Sequence, residues 1–274
     1  MRWAGPATAS ARNSGTALVT GASAGIGRAL AERFASEGHD VVLVARREGR
    51  LREASEEVED AHGVTAHVVP ADLTDRDARD ALYAAVGGRG IEVDYLVNNA
   101  GIGTQGAFTE IDLDRDLDLV ELNVAAPTHL TKLFARDMVT RGHGGVLNVT
   151  STAAFQPGPY MSTYYASKAY ELRFSQGLYE ELRGDGVTVT ALCSGPVATE
   201  FQERAEMTDV PIGRQDGGLI RWLDPEAVAR VGYEGFADGR AVVVPGTANR
   251  VVRLAAKLLP SSVTRKLAAR VNRE

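Results

Sequence analysis

Residues 17–27 read ALVTGASAGIG, an apolar run that passes directly into a glycine-rich turn and then into a helical pattern at 28–36. Gly21, Gly25 and Gly27 let the backbone turn tightly and come close to a pyrophosphate, which the N–H groups and positive end of the following helix can hold. Ser23, Ala24 and Ile26 fill the rest of the turn. The spacing is G-x-x-x-G-x-G rather than the commoner G-x-G-x-x-G. Its place between a first strand and a first helix is what points to a dinucleotide.

The same alternation continues outward. β-rich runs at 17–20, 41–45, 66–69, 95–98, 146–150, 187–193 and 241–244 are separated by helical patterns at 28–36, 50–61, 75–86, 113–140 and 163–182. Gly38, Gly142 and Gly184 are the expected helix stops. Strands that alternate with helices imply a doubly wound α/β domain of about seven parallel strands. The expected organisation is a disordered leader at 1–15, one Rossmann-like domain at 16–246, and a basic amphipathic helical extension at 247–274.

Composition narrows the class. The chain has 274 residues, 44% of them hydrophobic, enough for one sizeable core. The formal charge is −6, although residues 250–274 are strongly basic, with Arg250, Arg253, Lys257, Arg265, Lys266, Arg270 and Arg273 against Glu274 alone. The acidic body argues against nucleic acid as a partner. Cys193 is the single cysteine, so no intrachain disulfide can form. The five histidines are scattered without metal-ligand spacing, so no metal is expected. The aspartates of DLDRDLDL at 112–119 favour a helix N-terminus, and its leucines are expected to face the core. No stretch approaches the roughly 18 apolar residues of a membrane span. A soluble, cytoplasmic protein is expected.

The chemistry lies in STAAFQPGPYMSTYYASK at 151–168. Tyr164 and Lys168 are four apart and share a helical face, where the ammonium can stabilise a phenolate. Tyr165 pairs instead with Ala169. A free tyrosine titrates near ~10, too high for proton exchange at neutral pH, so a fixed cation is what acid/base work here requires. Ser151 adds a hydroxyl to the same candidate centre.

With these motifs the chain resembles the short-chain dehydrogenase/reductase family. The resemblance runs from about residue 16 to 244 through TGASAGIG, Asp72-Leu73, NNAG at 98–101, Asn123, Ser151, YYASK at 164–168 and SGPVAT at 194–199. It implies that Tyr164 exchanges a proton with substrate, Lys168 lowers its pKa and binds the nicotinamide ribose, and Ser151 hydrogen-bonds the carbonyl. It also implies that Asp72 and Leu73 lie at the adenine, Asn99, Ala100 and Gly101 at its ribose, and Pro196, Val197 and Thr199 at the carboxamide. Asn123 precedes Pro127 by four residues, so the missing proline N–H leaves its carbonyl without the usual helical partner. In the family such a carbonyl holds a water that links the lysine to solvent. One departure is Ser194-Gly195 where the family has Pro-Gly, with Pro196 two positions later. A homodimer or homotetramer is the implied assembly.

The second strand ends VVLVARR. An NAD site would carry a carboxylate there for the ribose 2′-hydroxyl, whereas Arg46 and Arg47 can pair with a 2′-phosphate. NADP(H) is therefore the expected cofactor. Residues 200–223, by resemblance a lid, carry Phe201, Met207, Ile212, Leu219, Ile220 and Trp222, with Phe155, Pro159, Tyr160 and Met161 expected nearby. They point to a lipophilic ketone or oxoacyl substrate. In the basic tail Val251, Leu254, Ala255 and Leu258 share one helical face, suited to docking on the body or a second subunit, or to peripheral contact with an anionic membrane. The competing class is an NADP(H)-binding regulator without turnover; the complete Ser151, Tyr164 and Lys168 set argues against it.

Overall fold

In the computed structural model, residues 15–205 and 222–273 are described. The expected leader, apart from Gly15, and most of the expected lid, including Met207, Ile212, Leu219 and Ile220, lie outside them. Seven strands form one parallel sheet in the order β3-β2-β1-β4-β5-β6-β7. They are β1 (Thr16–Thr20), β2 (Asp40–Ala45), β3 (Ala66–Pro70), β4 (Tyr95–Asn98), β5 (Gly144–Ser151), β6 (Val187–Ser194) and β7 (Val242–Val243). Register is set by pairs such as Leu18↔Val42 and Leu18↔Leu96. The connecting helices are α1 (Gly25–Ser36), α2 (Glu48–His62), α3 (Arg76–Gly88), α4 (Leu113–Val120), α5 (Ala126–Arg141), α6 (Ser162–Leu182), α7 (Phe201–Arg204) and α8 (Pro225–Ala237). The chain then adds α9 (Thr247–Leu258) and α10 (Ser261–Asn272).

Parallel strands need crossover helices, so both faces of the sheet are covered, and β2 accordingly reads as a continuous apolar run at Val41 to Ala45. Val41 to Val44 are all fully buried, yet they serve opposite layers. Val41 and Leu43 pack with Leu30, Phe34, Leu51, Val228 and Phe236 of α1, α2 and α8. Val42 and Val44 pack with Leu82, Leu130, Phe134 and Met138 of α3 and α5. Phe34 is the hub of the first layer, with Tyr233 edge-on at a ring separation of 4.9 Å and His39, Tyr95 and Phe236 around it.

Three expectations change. The helix expected over 113–140 is divided: a π-helical turn at Glu121–Ala125 separates α4 from α5, and the Ala126 N–H reaches back to the Glu121 carbonyl. The widened turn carries the chain past Pro127, whose missing N–H makes an uninterrupted α-helix unfavourable there. The leucines of DLDRDLDL do not share a buried face, because Leu113 and Leu117 are exposed and only Leu119 is enclosed. The stop after α6 is not Gly184: a 3-10 turn at Arg183–Asp185 intervenes, and Gly186 takes the left-handed conformation at φ +78°.

The phenyl ring of Phe34 fills the centre of one layer, so its loss leaves a void the neighbouring rings cannot collapse into. Phe34→Ala should cost about 3–5 kcal/mol, read as a lower denaturant midpoint at unchanged slope.

Candidate active site

Strand order reverses between β1 and β4, and at such a switch point the carboxyl ends of the strands diverge and leave a crevice. A cavity of about 860 Å³ occupies it. At one end the wall is the turn between β1 and α1. The N-terminus of α1 has no side-chain cap, and Ala24, Gly25 and Ile26 put its first amides on the cavity wall. Those unpaired N–H groups and the helix dipole suit an anion. Gly25 has φ +56°, and a Cβ there would lie 2.9 Å from Thr199 Cγ2. Gly27 does not line the cavity; a Cβ at Gly27 would collide with the Gly21 carbonyl oxygen, so this glycine lets α1 lie close over the turn. An uncapped helix start over a turn that admits no side chain at Gly25 or Gly27 fits the pyrophosphate of a nicotinamide dinucleotide.

The other residues expected at the cofactor come together along this wall. Ser23, Arg46, Arg47, Asp72, Leu73, Asn99, Ala100 and Gly101 line one stretch, and Pro196, Val197 and Thr199 another. Asn99 is held by its side chain donating to the Thr20 carbonyl at 2.9 Å, while Thr20 Oγ1 accepts from the amides of Asn99 and Ala100. Arg46 is largely exposed, 3.5 Å from Asp72. Arg47 is more engaged, donating to Glu200 and to Ser23 Oγ, both at 3.1 Å, and Arg50 also pairs with Glu200. Asp75 caps α3, its side chain accepting from the Asp77 amide, so Asp72 is not engaged as a cap. Partial burial opposes ionisation of Asp72, but the Thr74 amide and hydroxyl and the Arg46 charge outweigh it and hold the carboxyl below its ordinary value. Behind the Ser194-Gly195 departure, the loop is pinned by Leu223, whose amide donates to the Pro196 carbonyl and whose carbonyl accepts from the Ala198 amide.

The acid/base candidates sit midway along the cavity. α6 presents Tyr164 and Lys168 on one face, with Nζ 5.9 Å from the Tyr164 ring centre. Ser151, at the end of β5, stands near enough to the phenol to pull its pKa down, and its Oγ accepts from the Ala153 amide at 3.1 Å. α6 is fixed to the sheet by buried polar side chains: Asn98 donates to Asn148, Asn148 donates to Ser175, and Ser175 donates to the Glu171 carbonyl. Tyr165 lines the same cavity but turns toward its far wall, its hydroxyl donating to Asn272 Oδ1 at 3.3 Å. Asn123, fully buried in the π-helical turn, does not line the cavity. Its side chain is spent on the amide and carbonyl of Ile102 and on Ser167.

Lys168 acts on the Tyr164 pKa in the expected direction, but burial is the larger influence. Burial raises it, Lys168 and Ser151 pull it down, and the net direction is upward. Glu171 adds a smaller upward push from beside the ammonium, where Lys168 Nζ donates to Glu171 Oε2 at 2.9 Å and the carboxylate offsets part of the positive charge. Burial acts against the charge on Lys168, but Glu171 and Tyr164 outweigh it and raise its pKa. Glu171 itself is pushed up to about 7 by burial, against the pull of Lys168. Nothing in the Tyr-x-x-x-Lys pattern marks Glu171; its spacing of three from Lys168 was the available signal.

The far wall comes from α9 and α10. Val252, Ala255, Leu259, Leu267, Ala268 and Val271 line it, with Ala153 and Met161 opposite. Most of the tail's expected apolar stripe is thus not docked on the body. Ala255 points inward, while Val251, Leu254 and Leu258 are exposed. Asn272 closes this wall: it is fully buried, donates to the Pro159 carbonyl at 3.1 Å, and its own carbonyl accepts from Gln105. Phe155, Pro159 and Tyr160 support the wall rather than line it, with Arg253 over Phe155 and Arg273 over Tyr160. The one grouping of metal-type side chains among the described residues is Glu92, Asp94 and His143. It lies at the amino-terminal strand ends, where Arg141 pairs with Glu92 and the Thr16 amide binds Asp94.

Comparison with known proteins agrees with this fold. Residues 15–209 match the short chain dehydrogenase family. A short chain dehydrogenase of Pseudocercospora fijiensis is 40% identical over 190 residues, 68% of this chain and 60% of the relative. A very-long-chain 3-oxoacyl-CoA reductase of Anas platyrhynchos is 34% identical over 192 residues, 68% of this chain and 61% of the relative. The matched region thus spans about three fifths of the length of these two relatives. Among solved structures, a short-chain dehydrogenase from Sphingobium yanoikuyae in complex with NADPH superposes with a TM-score of 0.78 at 33% identity, covering 89% of this chain and 93% of that one. With the family match extending over more than half its length, and with the sheet order and crevice described above, the chain belongs to the short-chain dehydrogenase/reductase family.

Proposed function

We propose that this protein is an NADP(H)-dependent oxidoreductase that interconverts a lipophilic ketone or oxoacyl compound and its secondary alcohol. The observation that carries the reading is the placement of Tyr164, Lys168 and Ser151 on one cavity wall, between the phosphate-type turn and an apolar far end. Bound along the first wall, the nicotinamide cofactor supplies or takes up the hydride. The chain's residues do the rest. Ser151 Oγ and the Tyr164 hydroxyl hold the substrate oxygen, and Tyr164 gives that oxygen its proton in reduction or removes it in oxidation. Lys168 keeps a positive charge beside the phenol, which favours the phenolate left after proton transfer. The π-helical turn around Asn123 supports the lysine side of the site through Ser167, which donates to the Tyr164 carbonyl at 2.8 Å.

NADP(H) is preferred over NAD(H) on the strength of Arg46. No carboxylate ends β2, and Arg46 is exposed at the cavity, its one ion-pair partner among the described residues being Asp72 at 3.5 Å, so its guanidinium is open to a 2′-phosphate. The NADPH-bound relative is in keeping with this choice. Lipophilic substrates are favoured by the aliphatic far wall of Val252, Leu259, Leu267 and Val271, where a polar substrate would lose water without gaining partners. The oxoacyl class is supported by the similarity to the 3-oxoacyl-CoA reductase.

Tyr164→Phe should lower turnover by roughly 10²- to 10⁴-fold while cofactor binding is retained, whereas Tyr165→Phe should cost far less; near-normal turnover of the Tyr164 variant refutes the assignment. Arg46→Ala should reduce kcat/KM for NADPH roughly 10- to 100-fold, as expected for one charge-assisted hydrogen bond, and leave NADH almost unaffected. Equal kcat/KM of the wild-type enzyme for the two cofactors would rule out the NADP(H) preference. In a panel of ketones and acyl thioesters, Leu267→Glu should raise KM for the most apolar members and spare the small polar ones; a uniform change across the panel argues against an apolar substrate end.

A further inference from the structure

Lys168 and Glu171 form an ion pair inside the protein, with Nζ 2.9 Å from Oε2 and side chains only 6% and 3% exposed. A buried pair is a poor source of stability, because removing two charges from water offsets most of their attraction. The pair therefore needs another explanation, and the reaction derived from Tyr164, Ser151 and Lys168 does not use the carboxylate. Lys168 Nζ has a second fixed acceptor in the Val149 carbonyl at 3.2 Å, so the ammonium is held from two sides. Titratable neighbours come from three elements. Tyr164 and Lys168 lie on α6 itself, Cys193 on β6 has its thiol pushed up to about 12 by burial, and Arg253 on α9 acts on Cys193 from beyond. Thr150 on β5 is the nearby hydroxyl.

The geometry points to Glu171 as the positioning residue of this site, one that anchors the Lys168 ammonium and, through its own charge, sets how readily the Tyr164–Lys168 couple gives up a proton. This rests on the reading of Tyr164 as the acid/base group. With Glu171 ionised, the pair is nearly neutral and the phenol sits beside a damped cation. With Glu171 protonated, the full ammonium charge acts on the phenol. A carboxyl pushed up to about 7 visits both states around neutral pH. Tyr164 and Lys168 titrate as a unit, so removing a neighbouring negative charge lowers the pH at which the couple loses its first proton, whichever residue releases it. The form that oxidises an alcohol, phenolate beside ammonium, has that same proton count.

The test is the pH profile of kcat for alcohol oxidation, with cofactor and alcohol saturating. Glu171→Gln keeps the shape and one acceptor but removes the charge; its acid limb should move to lower pH by about one unit or more. Glu171→Asp keeps the charge and should keep the wild-type limb. A Glu171→Gln profile that falls in height without moving, or melting that shifts while the limb stays, overturns the inference and leaves a structural pair. Wild-type protein supplies an arm that needs no variant and no turnover: an infrared carbonyl stretch from a buried protonated carboxyl, lost as the pH is raised through neutrality. Absence of any such band above pH ~6 counts against the inference equally. If Tyr164→Phe remains active, the reading beneath it fails; if Tyr164→Phe is inactive and the Glu171→Gln limb is unmoved, only the role of Glu171 fails.

Discussion

Seven parallel strands can be joined only by crossovers, and covering both faces of the sheet forces the chain to wind first one way and then the other. That reversal between β1 and β4 is the constraint on which the site depends. It leaves the carboxyl ends of β1 and β4 with no helix between them, so the turn after β1, the turn after β4 and the ends of β5 and β6 border one crevice. The residues of chemical interest are those that occupy these ends. Gly25 follows β1, Asn99 to Gly101 follow β4, Ser151 ends β5, and Pro196 to Thr199 follow β6. Side chains far apart in sequence thus share a wall without any long-range specification beyond strand order.

Within that frame the electrostatics follow from burial. The wall that carries Tyr164 lies on α6, whose inner face packs on β5 and β6, and water is excluded from Lys168 and Glu171 together. In such a place a single charge is costly and a pair is tolerable. Lys168 is thereby retained as a cation, but its field at Tyr164 is shared with its partner. An ammonium four residues from a tyrosine is therefore an incomplete account of the tyrosine's proton affinity: burial raises it most, and the third group on the helix adds a smaller push in the same direction.

Legibility in the sequence tracked the range of the interactions. The glycine turn and the Tyr164–Lys168 spacing were readable because each depends on backbone geometry within about one or two helical turns. Strand positions were readable because β1, β2, β4, β5 and β6 are covered on both faces and are rich in apolar, largely β-branched residues. The α4–α5 register was not, since a proline predicts trouble in a helix without saying whether the chain will kink, stop or widen into a π turn. The tail's orientation was not either. In α9 both the inner row of Val252 and Ala255 and the outer row of Val251, Leu254 and Leu258 are apolar, so periodicity alone could not choose the face that turns inward.

By itself, then, the sequence determined the family, the doubly wound sheet, the phosphate-type turn and the hydroxyl, phenol and ammonium at 151–168, because these are written in local spacing. Only the tertiary structure decided that α9 and α10 would wall the cavity, that Asn272 would close it beside Tyr165, and that Glu171 would face Lys168 away from water. Those outcomes depend on which surfaces meet and which charges lose their solvent, and neither is encoded in any short stretch of chain.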